Sequence, residues 1–272
     1  MEFKNKLAKY FKGVDKKDCE NVLIIGAHPD DAEFMAYQII SLAYKNEKIG
    51  VHVVVLTDGA NSPRSGSYSS YTGEMMIGAR LEEQLNAMKV GEYSSLFMLN
   101  YTSSEIKNVD ERAKDDLITI IKTLKPTSIY MHNPFDKHPT HLGALKTTMS
   151  ALRSIDLSFV NKVFGCEVWQ SLEWLNLEDK VSGDTSLYHE ELFIPLVNCF
   201  VSQIKGGKNY DQALIGRWKA NATFHDSHSV DLFSHISFMC DLTNVAKKEI
   251  TLDEYVKNII NRFNNKIIEG IK

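Results

Sequence analysis

The sequence predicts an α/β fold, a Rossmann-like, doubly wound, mostly parallel sheet with helices on both faces. Three observations predict it. Short apolar runs recur at Val22–Ala27, Val51–Leu56, Ser95–Leu99 and Thr127–Met131, and buried parallel strands read in this way. Between them lie stretches of helical period, so strand and helix alternate along the first half. Finally, two of the runs end in clusters of polar, metal-capable residues, at the carboxyl ends of strands where open α/β sheets put ligands.

The elements follow in order. Residues 2–12 place Phe3, Leu7, Tyr10 and Phe11 at helical spacing among lysines, which predicts a short helix packed on the domain. Val22–Ala27 is the first core strand, and a helix runs from about Ala32 to Lys45. The strand Val51–Leu56 ends in Thr57-Asp58-Gly59 and leads into the polar stretch GANSPRSGSYSSYTGE. A loop this long is read as a substrate-side loop or lid, with a plain insertion as the alternative. Helices are expected at about 76–89, 111–124 (ending before Pro126) and 140–152.

The second half is less legible. A strand is expected at Lys162–Trp169 and helices at Leu192–Lys205, Tyr210–Phe224 and Thr251–Ile271. No linker or repeat divides the chain, so one domain is expected over 1–272, its motif-bearing core at about 20–155 and a less certain part at 156–272.

Composition narrows the function. Of the 272 residues 43% are hydrophobic and 24% charged, enough to bury a sizeable core. A formal charge of −4 argues against nucleic acid or an anionic membrane as principal partner. Cys19, Cys166, Cys199 and Cys240 are far apart and show no CxxC spacing, which suits a reducing compartment. The opening residues are too broken by charge for a secretory signal, and no apolar run reaches membrane-spanning length. A cytoplasmic protein is the expectation; oligomeric state is not legible.

Two clusters carry the chemistry. His28, Asp30 and Asp31 follow the first core strand; His132, Asp136, His138 and His141 follow the strand at 127–131. In common doubly wound orders these two strands are neighbours across the switch point, so both loops face one crevice. His28, Asp31 and one histidine of the HPTH pair would make a three-ligand set for a catalytic zinc, with iron, manganese or cobalt also suited. Asp30 would be free to take a proton from metal-bound water, and the remaining histidine to assist an oxyanion or a leaving amine. Together these parts describe amide hydrolysis. The plainer account makes Asp30 and Asp31 helix-capping carboxylates. In it, HPTH is a helix start with Pro139 in the first turn.

The segments VLIIGAHPDDAEF, LTDG, ARLEEQLNAMKVG and HNPFDKHPTHLGA resemble the PIG-L/LmbE-like N-acetylglucosaminyl deacetylases over about residues 20–150. The resemblance implies a zinc-dependent deacetylase of N-acetylated amino sugars or their conjugates. It implies His28, Asp31 and His141 as zinc ligands, Asp30 as general base and His138 as the assisting histidine. It also makes Arg80 a substrate contact, although an arginine ahead of two glutamates on a helix is more often part of a solvated ion-pair face. Asp58 and Glu167 complete the expected substrate contacts. Glu167 lies in GCEVW, which resembles a segment of bacterial members; there Glu167 and Trp169 line a sugar site or form an edge strand with a packed tryptophan.

The chain departs from the family pattern at Ala60, where many relatives are acidic, and at Asp136, where some have tyrosine. Arg217, His225 and His228 are read as surface residues rather than a second metal site. The alternative function is a non-catalytic sugar- or nucleotide-binding protein. A dinucleotide site needs glycines at the first turn, and this turn reads G-A-H-P-D-D.

Overall fold

The computed structural model describes residues 1–185 and 188–272. The chain begins with an edge strand, β1 (Lys9–Lys12), and reaches the core in β2 (Glu20–Gly26). Two short helices follow, α1 (Asp31–Met35) and α2 (Tyr37–Ala43), then β3 (Ile49–Thr57), α3 (Gly73–Val90) and β4 (Ser95–Tyr101). Next come α4 (Ser103–Lys107), α5 (Glu111–Leu124), β5 (Ser128–His132) and α6 (Pro139–Arg153). The second half holds β6 (Lys162–Cys166), β7 (Val181–Asp184), α7 (Phe193–Val197), α8 (Val201–Ile204) and α9 (Tyr210–Thr223). It closes with β8 (Ile236–Asp241), α10 (Thr243–Ala246) and α11 (Leu252–Gly270).

The strands form one eight-stranded sheet in the order β1-β4-β3-β2-β5-β6-β8-β7. The expectation of a mostly parallel sheet needs correction at its margins, because the sheet is mixed. Pairings from β4 through β6 are parallel, whereas β1 on β4, β8 on β6 and β7 on β8 are antiparallel. The placement that matters for function is in the middle. Val22, Leu23 and Ile24 of β2 pair with Ser128, Ile129 and Tyr130 of β5, so the loops after both strands open side by side.

Strand alternation splits the core into two layers. Leu23, Ile25, Val54, Leu56, Phe97 and Leu99 point into one, with Leu117, Ile120 and Ile121 of α5 and Leu145 of α6. Val22, Ile24, Val53, Val55, Leu96 and Met98 point into the other, with Phe34, Ile40, Phe193 and Trp218. Both faces of the middle strands are therefore dry, which is why these strands read as unbroken apolar runs. Among the described residues no helix is long and apolar enough to cross a membrane.

Two local expectations fail for physical reasons. Residues 2–12 are not a helix: Lys9–Lys12 pairs with the free edge of β4. The backbone N–H groups of Lys4 and Asn5 donate to the Asp116 carboxylate, and Asn5 Nδ2 donates to the carbonyls of Leu99 and Asn100. The exposed edge of β4 and a buried carboxylate thus satisfy backbone groups that a short helix would have left open at its ends. The helix expected over 192–205 is broken into α7 and α8, and the one at 32–45 breaks at Ala36, whose φ is −132°.

His52 carries a testable consequence of this core. It is buried on β3 between Ser95 Oγ (2.7 Å) and Asn21 Oδ1 (3.0 Å), and burial pushes its imidazole down to about 4. The unfolded chain takes up a proton near pH 6.5 that the folded chain refuses. Its contribution to stability is therefore complete above about pH 6.5 and is lost as the pH falls toward about 4, by up to about 3 kcal/mol. Urea unfolding at pH 7 and pH 4.5 should show this extra loss in the wild type and not in His52→Gln. Parallel curves would remove His52 as its source.

Candidate active site

The turn after β2 is tight. A Cβ at Gly26 would lie 2.9 Å from Asp31 Cβ, so glycine lets α1 begin directly over the strand end. Asp30, the N-cap of α1, has φ of +98° and makes no side-chain capping bond. A non-glycine residue in that region is strained, a cost that persists only where neighbours enforce it. Here Gln84 Oε1 accepts from the Asp30 backbone N–H at 3.1 Å, and Arg80 Nη2 donates to Asp30 Oδ2 at 2.6 Å. The capping account therefore fails for Asp30. Its carboxylate is held by an arginine, away from the helix end.

Arg80 is buried, so the solvated-face account fails as well. It donates to the Pro29 carbonyl through Nη2 and to Glu83 Oε2 through Nη1 at 2.8 Å. Glu83 in turn accepts from the backbone N–H and, at 2.9 Å, the hydroxyl of Ser202. Gly59, at φ +75°, passes so close that a Cβ there would meet Arg80 Cγ at 3.0 Å.

Around Asp31 the two clusters meet. His28 Nδ1 is 3.3 Å from Asp31 Oδ2, His141 Nε2 is 3.4 Å from Asp31 Oδ1, and His28 Nδ1 is 3.2 Å from His141 Nε2. An ion held tetrahedrally at about 2.0–2.1 Å keeps its donors roughly 3.3 Å apart; each of these pairs has that spacing, with Asp31 meeting His28 through Oδ2 and His141 through Oδ1. Among the described residues two overlapping donor sets lie within 4.8 Å: His28, His138 and His141, and Asp31, His132 and His141. His141 belongs to both. His132 differs from the others because its Nε2 accepts from the backbone N–H of Ala27 at 3.0 Å, which occupies its lone pair.

The electrostatics follow from burial among opposed charges. Burial pushes the Asp30 carboxyl up to about 7, against the pull of Arg80. Burial pushes Asp31 up too, but the imidazoles of His141 and His132 outweigh it and hold that carboxyl well below its usual range. Burial brings the His141 imidazole down to about 4, and burial with the neighbouring His28 lowers His138.

His138 and Pro139 open α6, with Pro139 in its first turn as the plainer account expected. His141 is nevertheless fully buried, so HPTH is not a pair of solvated histidines. The His138 ring stands 5.0 Å from that of His28, and its Nδ1 has no partner among the described residues.

The expected site residues divide. His28, Asp30, Asp31, Arg80 and His138 line one cavity of about 620 Å³, whereas the expected ligand His141 and the expected substrate contacts Asp58 and Glu167 are absent from its lining. Asp58 Oδ1 accepts from the Ala60 backbone N–H at 3.0 Å. Glu167 is buried and spent on structure, accepting from Leu172 N–H, Phe238 N–H, Ser171 Oγ and Asn221 Nδ2. The long polar loop contributes Asn61, Ser62 and Pro63 to the cavity wall, and the second half contributes Trp169, Lys208, Tyr210 and Arg217. Sequence reasoning missed Lys208 and Tyr210, neither of which stands in a motif, and its surface reading of Arg217 needs correction, since that side chain is half-buried in the cavity wall against the Val168 carbonyl.

It also missed how Asp136 serves the site. Its Oδ2 is 3.3 Å from His141 Nδ1, its Oδ1 accepts from His138 N–H at 2.8 Å, and Trp169 N–H donates to Oδ2 at 3.2 Å. A single carboxylate thus fixes the ring of His141, the start of α6 and the chain after β6.

With the geometry in place, comparison with known proteins is decisive on ancestry. Residues 23–152 match the model of the PIG-L family, GlcNAc-PI de-N-acetylase. The chain is 30% identical over 162 residues to the uncharacterized deacetylase YaiS of Escherichia coli, a match covering 53% of this chain and 80% of YaiS. The chain belongs to the PIG-L family.

Solved structures agree on the fold. The N,N'-diacetylchitobiose deacetylase of Pyrococcus horikoshii superposes with a TM-score of 0.63 at 18% identity, covering 82% of this chain and 85% of the other. GalB, a 4-carboxy-2-hydroxymuconate hydratase from a Pseudomonas, superposes with a TM-score of 0.57 at 15% identity, covering 82% and 96%. At such identities the likeness is one of fold alone, and the fold serves more than one reaction. The PIG-L match ends at residue 152, so Trp169, Lys208, Tyr210 and Arg217 lie beyond it.

Proposed function

We propose that this PIG-L family member hydrolyses the N-acetyl amide of an amino sugar or amino-sugar conjugate, releasing acetate. The observation that carries the reading is the pairwise approach of His28, Asp31 and His141 at 3.2–3.4 Å, with one Asp31 oxygen facing each histidine, beside a separately clamped Asp30. In this reading those three side chains hold a divalent ion, zinc first and iron(II) or another ion as the alternative. Bound there, the ion supplies Lewis acidity to the water and the acetyl carbonyl.

The chain's own residues do the rest. Asp30 takes a proton from the attacking water as the new C–O bond forms. Arg80 fixes the Asp30 carboxylate through Oδ2, leaving Oδ1 for that proton. His138, whose ring stands 5.0 Å from that of His28, donates to the developing oxyanion and assists proton delivery to the amine as the C–N bond breaks. Asp30 and Arg80 are buried, which shields that pair from bulk water. Water and amide give acetate and a free amine, so the atoms balance.

The test is acetate release from N-acetylglucosamine and its small glycosides by zinc-loaded protein. One acetate per free amine formed is expected. Full metal loading with no acetate from any N-acetyl sugar would favour a protein that binds sugar without cleaving it.

Asp136 gives a second test. A carboxylate that orients a metal-ligating imidazole contributes about 10–100-fold to metal affinity. Asp136→Asn should weaken zinc binding by that factor in a chelator competition. Unchanged affinity would show that the imidazole orientation of His141 does not depend on Asp136.

A further inference from the structure

The outer part of the cavity has a charge its inner part does not explain. Its lining holds two acids, Asp30 and Asp31, and four permanent cations, Arg80, Lys107, Lys208 and Arg217, in a chain whose formal charge is −4. Arg80 is accounted for by Asp30 and Glu83. Asp31 is taken up by imidazoles. Among the described residues no carboxylate pairs with Lys107, Lys208 or Arg217 at ion-pair distance; the one acid whose charge Arg217 feels is the buried Glu167, whose oxygens are taken by Leu172, Phe238, Ser171 and Asn221.

Two of these cations are built into one wall. Lys208 is half-buried with Nζ 4.9 Å from the centre of the Trp169 ring. Arg217, also half-buried, donates through Nη1 to the Val168 carbonyl, one residue from Trp169. The Trp169 ring is stacked 6.1 Å from that of His138, which ties this wall to the reacting centre. A lysine ammonium over an indole face is a weakly compensated charge, and a guanidinium held by a carbonyl keeps its other N–H donors for an anion.

Resting on the deacetylase reading above, we propose that Lys208 and Arg217 form an anion subsite against Trp169. The substrate is then an N-acetyl amino sugar whose far end carries a carboxylate or phosphate. Lys107, exposed on α4, adds to the same field. The cavity, at about 620 Å³, leaves room beyond a single N-acetylhexosamine for that group.

The test compares three probes with one sugar and different ends: the methyl glycoside, the carboxymethyl glycoside and the 1-phosphate of N-acetylglucosamine. Calorimetric binding to the wild type at low salt should favour at least one anionic probe over the methyl glycoside by tenfold or more. The ratio should shrink at high salt. In Lys208→Ala/Arg217→Gln the ratio should collapse toward one, and Lys208→Arg should retain it. The better of the two anionic probes separates carboxylate from phosphate recognition.

Equal binding of all three probes, or a ratio unmoved by the double variant, would overturn the subsite. Acetate release is scored separately with the same probes. Anion preference in binding without acetate from any probe would sink the deacetylase reading and leave the subsite standing. Acetate from the methyl glycoside at the rate of the anionic probes, with equal binding, would do the reverse.

Discussion

Asp30→Asn is expected to retain its metal and lose turnover by about 10²–10⁴-fold, the span that a positioned general base contributes. The asparagine keeps the shape of the side chain and an oxygen for Arg80, but cannot take the proton. The contact it alters is short, 2.6 Å from Arg80 Nη2 to Asp30 Oδ2, between two buried groups. Some loss of stability should accompany the change, because among the described residues a buried arginine would be left with Glu83 alone as a charged partner. Measuring kcat, metal content and Tm on the same preparation separates these effects. Near-normal turnover with a full complement of metal would remove Asp30 as the base.

The second large effect separates two histidines only three residues apart. His141→Ala should lose metal by more than the roughly 10–100-fold expected when a supporting residue is removed. Its ring is fully buried and reaches Asp31, His28 and Asp136. His138→Ala should keep its metal and lower the rate, since this half-buried ring faces the cavity. Equilibrium zinc titration of both variants gives the ranking. The opposite order would exchange the roles of ligand and helper.

What the sequence made legible was local, or set by strand ends. The helix at 111–124 matches α5 residue for residue because its signals are self-contained. Asp110 caps its start, Leu117, Ile120 and Ile121 share one buried face, and Lys125 turns left-handed just before Pro126. That His28, Asp31 and His141 come together was legible because β2 and β5 are neighbours, which brings residues over 100 apart in sequence side by side.

What stayed illegible depends on tertiary partners. The edge of β4 and the Asp116 carboxylate, remote in sequence, made a strand end of a segment with helical spacing. The plainer reading of Arg80, a solvated ion-pair face, was removed by its burial against Asp30 and Glu83, with Ser202 closing over Glu83. Glu167 looked like a substrate contact in its motif, yet Asn221 and Phe238 take its Oε1 while Ser171 and Leu172 take its Oε2. β7 and β8 are short, and their antiparallel places at the sheet margin leave no strand–helix alternation to read.

The departure at Asp136 has a structural explanation. A tyrosine could not accept at once from the backbone N–H groups of His138 and Trp169, as this carboxylate does while facing His141. This chain uses the position to hold its loops and one imidazole.

The central claim is that His28, Asp31 and His141 hold a metal on which amide hydrolysis depends. It is tested most directly by stripping the wild-type protein with a chelator, restoring zinc, and following metal per chain together with acetate release from an N-acetyl amino sugar. Acetate release should vanish with the metal and return as about one ion per chain is restored. Release that continues unchanged in protein shown by elemental analysis to be metal-free would contradict the account.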